Sequence, residues 1–411
     1  MLDLIVIGGG ASGLMAAIAA ARRGKSVLVL EKTDRCGKKL AITGKGRCNI
    51  TNSELIDDFY AHFGKNGLFL KDAFKTLDNK SLEAFFRHLG LMTVTERGGR
   101  VFPESQDARD VVQTLLDEAW DQGVEIKTNS PCAAFLQDEE TKEIKGVLLR
   151  DGKTLAARNY LLSCGGASYP LTGSDGSGAK LAEKLGHAIV PLRPALVPLV
   201  VGGDLASRFQ GVSLKNVRAS LIVNGKSKKS YFGEMLFTHF GLSGPIILSL
   251  SEEAGAYLEK GASVAVSVDL KPALTEEQLE LRLLREIASL GAKQIKALLK
   301  ELLPAKMIEP CLNDLKLSRE TRVSQLDQKK RRALRSWLKE LVFPISATRP
   351  LEEGIVTSGG VKLKEVDPKT MRSKIVPNLF ITGETLDLSA DTGGYNLQAA
   401  FSTGYLAGSQ I

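Results

Sequence analysis

A glycine-rich turn near the N-terminus constrains the fold of this chain more than any other feature. Three glycines follow the apolar run Leu4–Ile7 and precede the alanine-rich stretch Leu14–Arg23, after which Val27–Leu30 is a second apolar run. The glycines, in GxGxxG spacing, are Gly8, Gly10 and Gly13. This order predicts a strand, a closely packed helix and a second buried strand, the βαβ unit of a Rossmann-like sheet.

The turn also predicts a dinucleotide site. The first glycine permits the tight turn, the second lets the backbone approach a pyrophosphate, and the third lets helix and strand pack closely. The phosphates then lie at the positive N-terminus of the helix. Glu31 ends the second strand, where its carboxylate accepts hydrogen bonds from an adenosine ribose and would repel the 2′-phosphate of NADP.

The C-terminal part of the chain favours FAD over NAD. Ile381–Asp387 follows a predicted strand, and Gly393–Gln398 precedes the predicted helix Leu397–Leu406. In flavoproteins of the two-dinucleotide-binding-domain type, a Gly-Glu pair near the C-terminus contacts the ribityl chain and the pyrophosphate. The N-terminus of the following helix faces the flavin, where its dipole stabilises negative charge. The segment Gly123–Cys132 matches the part of such folds that contacts adenine through its backbone.

Length and punctuation predict an interrupted domain. A chain of 411 residues exceeds what one core usually supports, and Pro191, Pro194 and Pro198 indicate a linker that leaves the first domain. We predict a discontinuous FAD-binding domain over 1–190 and 346–411. The insert, 191–345, is predicted to be β-rich over 195–270 and helical over 275–341.

The net charge lies in the insert. Residues 191–345 contain 24 Lys and Arg against 16 Asp and Glu, whereas the rest of the chain has 31 of each. Concentrated basic charge is typical of a domain that binds a polyanion, although it is also found on merely solubilising surfaces. The clearest clusters are Lys329–Arg332 and, beside the turn Asn224-Gly225, the lysines Lys226, Lys228 and Lys229.

Other classes of protein are disfavoured. No apolar run is long enough to span a bilayer, and the N-terminus lacks the basic start of a signal peptide, so we expect a cytoplasmic protein. The five cysteines are scattered and lack CxxC spacing, which indicates neither a disulfide framework nor a zinc site.

Six motifs together resemble a bacterial flavoprotein family that includes aminoacetone oxidase-like proteins, bile-acid reductase-like proteins and a ribosomal RNA dihydrouridine synthase. They are Gly37–Asn52, Gly99–Pro103, Cys164–Gly173, Gly233–Pro245, Thr357–Val361 and Gly393–Gln398. The resemblance covers essentially the whole chain. It implies an α/β fold in which a Rossmann-like FAD-binding domain is interrupted by a β-barrel-like domain with a helical subdomain.

The motifs yield a set of candidate site residues. The predicted cofactor-binding residues are Gly8, Gly10, Ala11, Ser12, Gly13, Glu31, Lys32, Lys38, Lys39, Gly44, Gly46, Arg47, Cys48, Asn49, Cys132, Gly165, Gly383, Glu384, Asp387, Gly394, Tyr395, Asn396 and Leu397. Lys38 and Lys39 are candidates to pair with the pyrophosphate. The candidate catalytic residues are Cys48, His239 and Arg47; Cys48 is a proton donor or a packed structural thiol, and His239 an acid or a structural histidine.

Three functions remain open from the sequence. The first is reduction of an activated C=C bond, with uridine in ribosomal RNA as the preferred substrate. The second is oxidation of a small amine such as aminoacetone, and the third is a non-catalytic RNA-binding factor that keeps flavin for stability. Because no second GxGxxG turn is present, NADH or NADPH is expected to bind only transiently, in a ping-pong scheme.

Overall fold

The computed structural model describes all 411 residues of the chain. The strands are β1 Leu2–Ile7, β2 Val27–Leu30, β3 Thr51–Asn52, β4 Thr93–Thr95, β5 Arg100–Pro103, β6 Glu125–Lys127, β7 Cys132–Gln137, β8 Ile144–Leu149, β9 Thr154–Leu155, β10 Ala157–Leu162, β11 Ile189–Ala195, β12 Leu199–Val201, β13 Ser213–Val223, β14 Lys226–Phe237, β15 Gly241–Ser243, β16 Val264–Asp269, β17 Leu341–Thr348, β18 Val356–Val361 and β19 Leu379–Ile381. The α-helices are α1 Ala11–Ala21, α2 Lys38–Gly46, α3 Phe59–His62, α4 Lys71–Thr76, α5 Asn79–His88, α6 Ala108–Asp121, α7 Ser177–Lys184, α8 Pro245–Glu259, α9 Glu276–Leu290, α10 Ile295–Leu302, α11 Ala305–Asp314, α12 Gln328–Lys339 and α13 Tyr395–Gly408. None of these helices combines the length and the hydropathy that crossing a bilayer requires.

The chain divides into two compact units. Unit 1 contains Met1–Ala195 and Leu351–Ile411, and unit 2 contains Leu196–Pro350. Pro191 and Pro194 lie in strand β11 and not in the predicted linker. The pairing of β11 with β18 shifts register around Pro191, and Pro194 lies in a two-stranded sheet in which each strand is an edge, so both positions tolerate proline.

Unit 1 is built on a five-stranded parallel sheet with the order β19-β10-β1-β2-β6. Strand β1 lies at its centre and pairs with β10 on one side and β2 on the other. Leu4–Val6 are fully buried, as expected for a parallel strand covered on both faces. The predicted Rossmann-like sheet is therefore confirmed.

The C-terminal helix α13 packs on α1. A Cβ atom added to Gly404 would lie 2.2 Å from the carbonyl oxygen of Ser12, so the two backbones are in direct contact there. This close packing brings the C-terminal segment to the N-terminal glycine turn. Unit 1 also contains the small sheets β3-β5-β4, β7-β8-β9 and β11-β18.

Unit 2 contains a closed barrel with the order β12-β15-β14-β13-β16-β17. Helices α9–α12 lie between β16 and β17 in the chain. The rings of Phe209, Phe237 and Phe343 pack on one another in its core. The predicted β-barrel-like domain with a helical part is confirmed. One feature differs from the prediction. Helix α8 interrupts the stretch 195–270, which we predict to be β-rich. Pro245 occupies the first turn of α8, a position where proline favours a helix.

Candidate functional site

The glycine turn joins β1 to α1 and leaves open space at one position. A Cβ atom on Gly8 would lie 2.5 Å from the carbonyl oxygen of Ser163, and one on Gly13 would lie 2.0 Å from that of Gly8. Both glycines are thus required by packing. Gly10, the residue before α1, would meet nothing within 4 Å. The space beside Gly10 and the helix N-terminus has the character of a phosphate site.

Glu31 is held rigidly beside this turn. One carboxylate oxygen accepts from the backbone N–H of Gly9 at 2.9 Å, and the other accepts from that of Thr33 at 2.8 Å. The backbone N–H of Ser130 donates to the Glu31 carbonyl at 2.9 Å. Glu31, which we predict to bind the ribose, therefore lies beside the segment that we predict to contact adenine and that ends at Cys132. Each carboxylate oxygen keeps a lone pair for a further donor.

The C-terminal segment reaches the same place. The hydroxyls of Ser12 and Thr382 are 2.6 Å apart, and the backbone N–H of Gly383 donates to Thr403. A Cβ on Gly383 would meet the Ser12 side chain at 2.9 Å. Gly383 therefore lies directly against the start of α1, as a residue that contacts pyrophosphate must.

The start of α13 abuts strand β3. Gly394, the N-cap of the helix, has φ +107°, and a Cβ there would lie 2.4 Å from the Thr51 carbonyl. Asn396 closes the preceding loop through hydrogen bonds with the backbone N–H and carbonyl of Ala390. Asp387 accepts from the side chain of Asn66. The positive end of the helix therefore faces the part of unit 1 that contains the loop Gly44–Asn49. Negative charge is favoured there.

The loop Gly44–Asn49 contains an unsatisfied acceptor. Gly44 and Lys45 leave the helical conformation, with φ of +57° and +61°. The side-chain oxygen of Asn49 is buried and has no hydrogen-bond partner. Because buried polar atoms are nearly always paired, this atom fits an N–H donor such as a flavin ring supplies. The residues of unit 1 therefore fit FAD.

Lys38 and Lys39, the lysines predicted to pair with the pyrophosphate, form ion pairs with carboxylates of unit 1. Lys39 donates to both carboxylate oxygens of Glu384, at 2.8 and 3.1 Å, and to Ser168. Lys38 pairs with Asp34, and Lys32 pairs with Asp175 at 2.6 Å. Each of these cations is paired with a carboxylate of the same unit, and a role of these lysines with the pyrophosphate stays a prediction.

Cys48 does not have the properties of a reactive thiol. Its side chain is fully buried, and burial raises its pKa to about 12. A thiol of this kind stays protonated near neutral pH, so it is not a thiolate nucleophile, and it gives up its proton with difficulty. The structure supports the alternative interpretation, a packed structural residue.

The other two catalytic candidates are in different situations. Arg47 donates to Glu96 and to Gln106, both at 2.8 Å, and its guanidinium lies 4.1 Å from the centroid of the Phe102 ring. It is a cross-link within unit 1. His239 is exposed in the turn between β14 and β15 of unit 2 and packs edge-to-face with Phe240. It does not belong to the unit that carries the other candidates.

Ser163 and Thr382 are absent from the predicted set of site residues, whereas Glu384 and Gly165 belong to it. Glu384 also accepts from the backbone N–H groups of Thr357 and Gly166, and Gly165 lies beside it, 3.8 Å from the carboxylate when given a Cβ. Ser163 donates to the carbonyls of Ile7 and Gly8. Ser163 and Thr382 each follow a strand of the parallel sheet directly. A search for polar residues at the carboxyl ends of these strands would have found them.

The basic stretch Lys329–Arg332 is partly neutralised inside unit 2. Arg331 donates to Glu280 at 3.0 Å and to the Leu326 carbonyl at 3.1 Å. Arg335, one turn later, pairs with Glu276 and the same Glu280. The stretch is therefore a helix-to-helix contact as much as an exposed basic surface.

Comparisons with known proteins agree with this geometry. The family model described as the HI0933-like protein Rossmann domain matches residues 2–410. A 3-dehydro-bile acid delta(4,6)-reductase from Clostridium scindens is 33% identical over 98% of this chain and 97% of its own length. A ribosomal RNA dihydrouridine synthase from Haemophilus influenzae is 28% identical over 98% of this chain and 96% of its own length.

A solved structure shares the fold. The 3-ketosteroid delta1-dehydrogenase from Sterolibacterium denitrificans aligns with a TM-score of 0.52 at 15% identity, covering 100% of this chain and 99% of that one. At this identity the likeness concerns the architecture alone. The family match and the 33% identical relative extend over nearly the whole sequence. The chain therefore belongs to the HI0933-like Rossmann family of FAD-dependent oxidoreductases.

Proposed function

We propose that unit 1 binds FAD without a covalent link and that the protein reduces a C=C bond conjugated to a carbonyl group. The single observation that carries the cofactor assignment is the open space at Gly10 between the N-terminus of α1 and the anchored carboxylate of Glu31. When bound, FAD supplies hydride to an electron-poor carbon.

The residues of unit 1 divide the work of holding the cofactor. Backbone N–H groups at the start of α1 take the pyrophosphate, and Glu31 accepts from the ribose hydroxyls. Asn49 accepts an N–H of the flavin ring with its unpaired oxygen. The positive end of α13 stabilises negative charge in the reduced cofactor. None of these roles needs a cysteine or a lysine.

The substrate class is proposed from what the two relatives are named for. One is a delta(4,6)-reductase of a 3-dehydro-bile acid, and the other makes dihydrouridine. Both names describe saturation of a C=C bond that is conjugated to a carbonyl. Such a bond accepts hydride at the carbon remote from the carbonyl and a proton at the adjacent carbon.

Our preferred substrate is uridine in ribosomal RNA, with hydride added to C6 of the base and a proton to C5. The observation that favours it is charge, because unit 2, Leu196–Pro350, holds the whole positive excess of the chain, 24 basic against 16 acidic residues. We further propose that NADH or NADPH reduces the flavin transiently and that the protein works in the cytoplasm.

The second candidate is reduction of a small conjugated ketone. It is favoured by the higher identity to the bile-acid reductase, 33% against 28%. The internal pairing of Arg331 and Arg335 with Glu280 also reduces the charge that is free to meet RNA. Oxidation of a small amine such as aminoacetone is a third possibility, which requires dioxygen in place of an organic acceptor.

The test is anaerobic. The purified yellow protein is bleached with NADH or NADPH, and its reoxidation is then followed with an unmodified ribosomal RNA fragment or a conjugated dienone steroid. Aminoacetone is added separately to the oxidised protein. We expect RNA to reoxidise the flavin and to gain two mass units at one uridine. Reoxidation by the steroid alone would establish the second candidate, and bleaching by aminoacetone the third. Failure of every substrate would overturn the proposal.

A further inference from the structure

We propose that the outer face of the barrel around Phe232 binds single-stranded RNA by stacking a base on this ring. The inference rests on the proposed RNA substrate and deepens it, because it assigns the surface that holds the strand. It concerns residues of unit 2 alone.

The face is formed by the long strands β13 and β14 with their neighbour β16. Along β14 the side chains alternate, and Phe232 points outward with 57% of its surface exposed. Arg218 lies directly opposite it on β13. The next outward row consists of Ser230, Ser220 and Ser267 in register across the strands, and the exposed Val342 of β17 continues it. An exposed ring thus stands between a guanidinium and a row of hydroxyls.

Phe232 contributes little to the fold at this position. The core of the barrel is supplied by the inward residues of the same strand, Met235 and Phe237, which are each 1% exposed. A phenylalanine exposed on a β-strand keeps a large apolar area in water. A ligand that covers the ring would recover that area, and a nucleic-acid base has the flat shape required.

The cations on this face are free of acidic partners. Lys215, Arg218, Lys226 and Lys228 are exposed, and none of them forms an ion pair within the chain. By contrast, Lys229 on the opposite side of β14 pairs with Glu253 at 3.5 Å. Of these cations Arg218 lies directly beside the exposed ring, and Lys215, Lys226 and Lys228 lie farther along the same hairpin.

Two carboxylates, Asp269 and Glu234, lie on this face and offset part of its positive charge. Asp269 faces Arg218 across β13 and β16, but its carboxylate accepts from the ammonium of Lys339 at 2.6 Å. Glu234 is the other carboxylate on the outward row of β14. Cations that follow a backbone, hydroxyls and one stacking ring are what a sequence-tolerant single-strand site contains. A protein partner would be expected to bury a more continuous apolar face, because here Glu234 separates Phe232 from the exposed Leu236 along β14, and serines separate it from the exposed Val342 of β17.

The test measures binding of a labelled uridine-rich single-stranded RNA by fluorescence anisotropy over a range of salt concentrations. We expect Phe232→Ala to weaken binding about tenfold at fixed salt, and Phe232→Tyr to restore it. The pair Arg218→Gln with Lys228→Gln should flatten the plot of log affinity against log salt by about 1.4. FAD content and thermal melting report that each variant is folded.

The matched control is Lys296→Gln with Lys300→Gln. These two lysines are exposed on α10 of the same unit and have no ion pair, so the change of charge is identical. Equal loss of affinity in the control and in the hairpin pair would overturn the assigned surface, as would full affinity of Phe232→Ala. In those cases the proposed RNA reductase still stands.

Two other outcomes have different consequences. If the wild-type protein reduces a conjugated ketone but binds no RNA, the proposed substrate and this surface both fail, while the reductase chemistry stands. If the protein binds no RNA and instead self-associates, with Phe232→Ala abolishing the larger species in gel filtration, the face is an interface between copies. That result would also overturn the inference.

Discussion

The imidazole of His62 stacks on the ring of Tyr395, with 3.7 Å between ring centroids and 13° between the planes. Glu54 accepts from the Tyr395 hydroxyl at 2.9 Å and lies 3.1 Å from one nitrogen of His62. Asp391 lies 3.2 Å from the other nitrogen. Tyr395 is the first residue of α13. The stack therefore anchors the end of the helix that we assign to the flavin.

His62 should stabilise unit 1 most at low pH. Burial alone would lower its pKa, but the hydrogen bonds to Asp391 and Glu54 outweigh burial and raise it. Stability from a raised pKa is fully present below the unfolded value of about 6.5 and is lost as pH rises through the folded value. We expect His62→Phe, which keeps the stack, to cost about 1 kcal/mol at pH 6 and less at pH 9. Thermal melts at both pH values test this, and an equal cost would contradict it.

Two glycines of the turn should respond differently to the same substitution. Gly10 has φ −86° and open space around it, so Gly10→Val should fold but exclude the pyrophosphate. Gly13→Val places a Cβ 2.0 Å from a backbone oxygen and should not fold. Flavin absorbance per protein after gel filtration, together with circular dichroism, separates the two effects. Stoichiometric flavin in Gly10→Val would refute the cofactor site.

The neighbouring residues Lys39 and Lys38 allow the ion pair of Glu384 to be compared with the more exposed ion pair of Asp34. Lys39→Met leaves this half-buried carboxylate without its cation, and we expect a loss of about 2 kcal/mol of unfolding free energy. Lys38→Met removes only the partner of the exposed Asp34, so the loss of unfolding free energy should be much smaller. Urea unfolding measures both. If Lys39 bound phosphate instead, its loss would lower FAD affinity without changing the stability of the apoprotein.

The sequence predicts the frame of this site well and its charges poorly. Glycine spacing, apolar runs and the terminal motifs lead to the sheet, the glycine turn and α13, because these depend on local patterns. The partners of Lys39 and Arg47 could not be predicted in this way. Glu384 is 345 positions from Lys39 in the sequence. Glu96 is 49 positions from Arg47, and only the folded chain brings the two side chains together.

Besides the partners of charged side chains, the burial of individual side chains could not be predicted from the sequence. Cys48 lies within the motif Gly44–Asn49, which favours a chemical role, yet its side chain points into the core. Helix α8 was missed because its first apolar residues, Ile246 and Ile247, are β-branched and typical of strands. In both cases tertiary packing overrides the local signal.

Cys48 should be inert in the native protein. Its full burial and raised pKa predict that iodoacetamide leaves it unmodified at pH 8, whereas denatured protein reacts completely. Peptide mapping by mass spectrometry gives the extent of labelling at each cysteine. Rapid modification of native Cys48, blocked by bound substrate, would return it to the list of catalytic candidates.

His187 should have the opposite pH dependence to His62, because its surroundings require a neutral ring. The Ser373 hydroxyl accepts from the backbone N–H groups of Ile375 and Val376, which leaves its proton for the His187 nitrogen 2.9 Å away. The other nitrogen, 3.1 Å from Glu365, carries the hydrogen. Burial lowers the pKa of His187 and the Glu365 carboxylate only partly opposes this.

A lowered pKa contributes stability that is present above the unfolded value of about 6.5 and is lost as pH falls through the folded value. His187→Gln should therefore cost about 2 kcal/mol of unfolding free energy at pH 8. The Ser373 hydroxyl loses the nitrogen that accepts its hydrogen bond, and the Glu365 carboxylate loses the N–H that donates to it. The cost should shrink towards pH 5, where protonation penalises only the wild-type protein. Urea unfolding of both proteins at several pH values tests this. A cost that grows as pH falls would mean that His187 is charged in the native fold, with Glu365 and not burial as the dominant influence.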